Sequence, residues 1–165
     1  MICTFYSHYV AFDKIIEIAR RFFPGASISS SKADESSVID IEIKGGLFKA
    51  AQKLQIRYRQ RSVPSYQIPE IDDSPLTANL KGLYGYIGSL PASNEKIREL
   101  MLQKVLTLNS EFSLSNEQGN IKELKGFIKE LALEFDAILF TQPGTVISKA
   151  NGQHFLNKDL NLLLD

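Results

Sequence analysis

Two stretches constrain this chain more than any others. In VIDIEIK, Val38 to Lys44, isoleucine alternates with charge: Ile39, Ile41 and Ile43 share one side, and Asp40, Glu42 and Lys44 the other. In LQIRYRQR, Leu54, Ile56 and Tyr58 alternate in the same way with Gln55, Arg57, Arg59 and Arg61. A period of two fits a half-buried strand and does not fit a helix. Only GGLFKAAQ and Lys53 separate the two runs, so an antiparallel hairpin is the simplest way to join them. With the isoleucine faces superposed, one permitted register sets Glu42 opposite Arg57 and Asp40 opposite Arg59, each pair contributing about 0.2–1 kcal/mol as cross-strand neighbours.

The flanking segments read as further strands and helices. Ile2 to Tyr9 is β-branched and aromatic and predicts a strand. Asp13 is placed to cap a helix running to about Phe23, with Ile15, Ile16, Ala19, Phe22 and Phe23 on its apolar side and Pro24-Gly25 as its stop. Leu76, Leu80, Leu83 and Ile87 form a helical stripe that starts after Pro75. Gly82, Gly85 and Gly88 recur in that helix, and close approach to a neighbouring element would explain residues that each cost about 1 kcal/mol against alanine. Ser93 or Asn94 caps a third helix with Ile97, Leu100, Met101, Val105 and Leu108 on its buried side. Glu111 to Ser115 alternates as a strand, and Asn120 followed by Glu123 opens a helix lined by Ile121, Leu124, Ile128, Leu131 and Phe135. DAILFTQ predicts a central strand ended by Pro143-Gly144, and Asn151-Gly152 turns the chain toward a last strand, LNLLLD. The predicted fold class is α+β: a mixed, largely antiparallel sheet with about four helices packed mainly on one face. Residues 1–165 are expected to form a single α+β domain. Its halves, about 1–62 and 110–165, look like a loose β-α-β-β duplication joined by the helical segment 75–108.

Composition excludes several function classes. Nineteen basic side chains balance nineteen acidic ones, so no global field draws the chain to nucleic acid or anionic lipid, and electrostatic function has to be local. One cysteine and two histidines leave no disulfide framework and no cofactor or structural zinc expectation. No apolar run reaches about 18 residues and MICTFYSHYV lacks the features of a signal peptide, so a cytoplasmic protein without a membrane span is expected.

The binding expectation rests on β-strand arginines and the segment behind them. Arg57, Arg59 and Arg61 offer forked donors for phosphate or carboxylate, with Tyr58 or Tyr66 near enough to stack. Pro64, Pro69 and Pro75 then rule out a regular element. The long connection that results leaves Tyr66, Ile68 and Ile71 to pack onto the domain or onto a partner. Lysine-rich surroundings and interleaved aromatics are missing, which disfavours nucleic acid. Catalytic chemistry has thin support. Cys3 sits in the first strand, where a buried inert thiol is the ordinary outcome. His8 falls near a strand end, and His154, with Lys158 and Asp159 downstream, is expected in a turn region that could present it as an acid–base group.

Finally, YRQR with PSYQIPEI, SPLTANLKGLYGYIGSLPASNEKIRELMLQKVLTLNSEF and DAILFTQPGTVISKANGQHFLNKDLNLLLD resemble a family of uncharacterised bacterial proteins built on a domain of unknown function. Longer members of that family carry a similar domain at the N-terminus and a second domain after it. The resemblance implies a discrete folding unit and a downstream domain as one candidate partner, and it implies no activity. The expected function is therefore a non-enzymatic protein-interaction or regulatory module, with Arg57, Arg59, Arg61, Tyr66, Ile68 and Ile71 as the contact residues. Its partner would be another protein or a downstream domain, and an uncovered edge strand could also support a homo-oligomer. An anion- or nucleic-acid-backbone-binding module on the three arginines is the alternative, and a small hydrolase or transferase using His154 is the second.

Overall fold

The structure of the chain, a computed structural model, describes residues 3–33, 36–45, 51–61, 74–89, 95–116, 123–141, 145–150 and 153–156. It is α+β. In chain order the elements are β1 (Cys3–Ser7), α1 (Phe12–Phe22), β2 (Ser27–Ala33), β3 (Ser36–Ile43), β4 (Gln52–Gln60), α2 (Pro75–Ser89), α3 (Glu95–Thr107), β5 (Ser110–Asn116), α4 (Leu124–Glu134), β6 (Ile138–Thr141), β7 (Thr145–Ala150) and β8 (Gln153–Leu156). The strands form one sheet in the order β2-β3-β4-β5-β1-β6-β7-β8. Every described pairing is antiparallel, so the sheet is not mixed as the sequence suggested. Because β5 and β6 flank β1 and both oppose it, they run in the same direction, and α4 carries the chain over β1 from one to the other.

Alternation in the central strands divides the interior into two cores. Cys3 and Phe5 of β1 point to one face with Phe112 and Leu114 of β5 and with Ile39, Ile41, Leu54 and Ile56, where they meet α1 and α4. Phe5 and Phe112 stack with centroids 4.4 Å apart, and Phe135 meets Phe112 edge-on. Tyr6 points to the other face and joins Ile138 under Leu76, Leu80, Leu83 and Ile87 of α2 and Met101 and Val105 of α3. Thus the helices are shared two and two between opposite faces and do not gather on one. The reason is visible in β1 and β6: Thr4, Phe5, Tyr6, Ile138 and Leu139 are all buried, so both sides of these strands need covering. A fully buried Phe, Leu or Ile contributes roughly 1.5–3 kcal/mol over leaving it exposed, and each core collects several.

Local signals behave as their chemistry dictates, with three corrections. The N-cap of α1 is Ala11 with no side-chain cap bond, and Asp13 lies inside the first turn while Arg20 and Arg21 lie in the last, a distribution that suits the helix dipole. Ile18, missed by the apolar stripe read from sequence, is buried beside Ile15 and Ala19. Among the described residues nothing lies within 4 Å of where a Cβ would stand on Gly82, Gly85 or Gly88, so close approach to a described element does not explain them. Element order repeats as β-α-β-β-β on each side of the α2–α3 pair, yet the paths differ. The first meander runs inward from the sheet edge to β4, and the second runs outward from β6 to β8.

Candidate functional site

Strand β4 carries the predicted site. Its alternation sends Leu54 and Ile56 fully into the first core and turns Lys53, Gln55, Arg57 and Arg59 toward the face that α2 and α3 partly cover. The hairpin with β3 forms, but in another register: Arg57 stands opposite Val38, Gln55 opposite Asp40 and Lys53 opposite Glu42. Arg57 faces Val38 where the sequence-based pairing put Glu42, a slip of four residues, and an even slip preserves which side chains share a face. The Glu42–Arg57 and Asp40–Arg59 ladder is therefore absent. Asp40 accepts instead from Gln55 Nε2 at 2.9 Å and lies 3.4 Å from Lys53 Nζ.

The arginines have three different situations. Arg59 is paired through β5: it stands opposite Glu111, and its Nη1 donates to Glu111 Oε1 at 2.7 Å. The second carboxylate oxygen accepts from Asn79 Nδ2 of α2 at 2.8 Å. With only 7% of its side chain exposed, Glu111 has both oxygens occupied, so a sheet arginine and a helix amide meet on one buried anion. Across β5, Glu111 stands opposite Tyr6. Burial, and then the Glu111 charge, push the Tyr6 phenol above its ordinary range, which keeps it neutral.

Arg61 sits just past the strand. Its N–H donates to Asn109 O at 2.9 Å, and its guanidinium Nη2 donates to Ser74 Oγ. Ser74 Oγ also accepts from Thr77 N–H at 3.4 Å. That is the bond of an N-cap serine, with Pro75 in the first helical position where its missing N–H costs nothing. Arg61 thus ties the start of α2 to the end of β4.

Arg57 is the exception. It is exposed, it stands between Val38 on β3 and Ser113 on β5, and no acidic group among the described residues pairs with it. Around it lie buried Val38 and half-buried Gln55, Ser113 and Ser115, a largely polar stretch over β3, β4 and β5. The α2–α3 pair stands over Tyr6, Ile138 and Phe140 of β1 and β6, to one side of it. Tyr66, Ile68 and Ile71 fall outside the described residues. The segment that holds them begins and ends at the Arg61–Ser74 contact.

The remaining candidates separate. Cys3 is buried, and burial pushes its thiol up to about 12, which suppresses the nucleophilic thiolate. His8 is exposed and its Nδ1 lies 3.2 Å from Thr107 O. Against a carbonyl acceptor that nitrogen donates, so the ring ties the end of β1 to the end of α3. His154 lies in β8 opposite Lys149, and not in a turn as its sequence context suggested. Lys158 and Asp159 fall outside the described residues. Among the described residues no cluster of three or more His, Cys, Asp or Glu is arranged to hold a metal ion, and no helix is long and apolar enough to cross a membrane.

Sequence reasoning did not find Glu111, Asn79 or Tyr6. Glu111 precedes Phe112 as an ordinary out-facing strand residue, and nothing local shows that a helix will cover it. Ser74 before Pro75 was the one available signal, a cap residue ahead of a first-turn proline. The chain matches no family model, no curated protein and no solved structure.

Proposed function

We propose that this chain is a non-enzymatic protein-interaction module whose contact surface is the β3–β5 side of the β4 face, centred on Arg57. One observation carries the proposal: α2 and α3 stand over the β1–β6 side of this face, while Arg57 remains exposed on the β3–β5 side. A largely polar surface around an exposed guanidinium that no described acidic group pairs suits a protein surface with a carboxylate and hydroxyl or amide groups. Tyr66, Ile68 and Ile71 are assigned the apolar share of the contact, since their segment starts and finishes beside this surface at Arg61 and Ser74. Use of Arg59 and Arg61 in internal contacts weighs against a three-arginine clamp for phosphate or nucleic-acid backbone. A reducing compartment such as the cytoplasm fits a single buried thiol.

The test is affinity capture from the native cell with three baits: the unchanged chain, Arg57→Glu and Tyr66→Ala. A partner retained by the first and lost from Arg57→Glu, with unfolding in urea unaltered, supports the assignment. Capture that is indifferent to both substitutions refutes it. Binding to phosphate-bearing ligands that weakens steeply with salt would favour the anion-binding alternative.

A further inference from the structure

Strand β2 is outermost at one end of the sheet. Its seven residues pair one to one with β3, from Ser27 opposite Glu42 to Ala33 opposite Ser36, so no bulge turns it aside. Its sequence, SISSSKA, contains no proline and a single charge, Lys32. Ser29, Ser30, Ser31 and Lys32 are exposed, and Ile28 is only half-buried against the first core. Among the described residues no strand pairs with its outer side. An unpaired row of N–H and C=O groups is a template for another strand, and proteins usually block it with bulges, proline or several charges. Lys32 is the only such device on β2.

We propose that this outer edge is a self-association site, at which β2 of a second copy pairs antiparallel about a two-fold axis through Ser30. The sheets then join into one, with like faces continuous. Such a two-fold sets Ile28 opposite Lys32 of the second copy, Ser29 opposite its Ser31, and Ser30 opposite its Ser30. This register is favoured by what it does for Ile28, whose exposed side is covered by the aliphatic stem of the facing lysine. Centring on Ser29 would leave Ile28 facing serine. On the opposite face the serine pairs can exchange hydroxyl hydrogen bonds, and no charge meets its own copy. A seven-residue edge falls near or below the low end of stable interfaces, about 1,200 Å², so the dimer is reversible and dilution separates it.

Sedimentation equilibrium of the full chain across a micromolar dilution series tests this with a charge pair. In the proposed register Ser29→Lys with Ser31→Lys sets lysine against lysine twice and abolishes the dimer. Ser29→Lys with Ser31→Glu sets lysine against glutamate twice and retains it. Circular dichroism confirms that each variant is folded. An unchanged chain that is monomeric at every concentration, or two variants that associate alike, overturns the proposal.

Discussion

At the scale of single residues, burial makes Cys3 and Tyr6 structural. Cys3 is expected to resist thiol reagents in the native protein at pH 8 and to react at once in denaturant. Fast labelling of the folded chain would contradict the burial that raises its pKa to about 12. Both groups also predict a direction with pH. Each holds its proton more tightly folded than unfolded, so the stability they contribute is complete below their ordinary values, 9.0 for the thiol and 10.0 for the phenol. It is lost as pH rises through and above them. Urea midpoints should therefore fall between pH 8 and 11, and Tyr6→Phe should fall less. A variant that loses as much as the unchanged chain would show that the phenol is not the titrating group. The side of β4 on which each residue lies was legible in the sequence, because alternation fixes parity. The partners were not, because parity is blind to an even slip and Glu111 reaches Arg59 from a strand about fifty residues away.

Among the elements, α2 shows where two signals in one stretch disagreed. Leu76, Leu80, Leu83 and Ile87 define a buried stripe, and at roughly 100° per residue Gly85 falls on the far side of the helix from it. The stripe was the stronger signal, and no described residue lies within 4 Å of a Cβ built on the glycines. Gly82→Ala and Gly85→Ala should each stabilise the protein by about 0.5–1 kcal/mol, measured as a rise in urea midpoint. Gly126 in α4 predicts the opposite sign, because an added Cβ would meet Phe22 Cε1 at 2.8 Å on a ring already set edge-on to Phe127. Gly126→Ala should cost about 1 kcal/mol through overpacking. A gain there would mean that the α1–α4 contact is looser than drawn. A loss at Gly82 or Gly85 would mean that their side of α2 is covered.

For the whole molecule, the α+β class and most elements were readable from periodicity; β2 was not, because SISSSKA carries no apolar alternation and is a strand only through its pairing with β3. Helix placement was not, since a one-sided stripe says that a helix is covered but not which face of the sheet covers it. The doubly buried β1 and β6 decide this, and their runs are too short to announce it. The α2–α3 layer is held on the sheet by its apolar core over Tyr6 and Ile138 and, at the β4–β5 side, by polar contacts: Arg59 and Asn79 on Glu111, and Arg61 on the cap of α2. That division of labour, with Arg59 holding layers together and Arg57 facing outward, underlies both the fold and the proposed contact surface. Urea unfolding of Arg59→Ala and Arg57→Ala side by side tests it most directly. Arg59→Ala should lose about 3 kcal/mol by leaving the Glu111 carboxylate buried without its cation, and Arg57→Ala should stay within about 0.5 kcal/mol of the unchanged chain. Equal small losses, or a larger loss at Arg57, would contradict it.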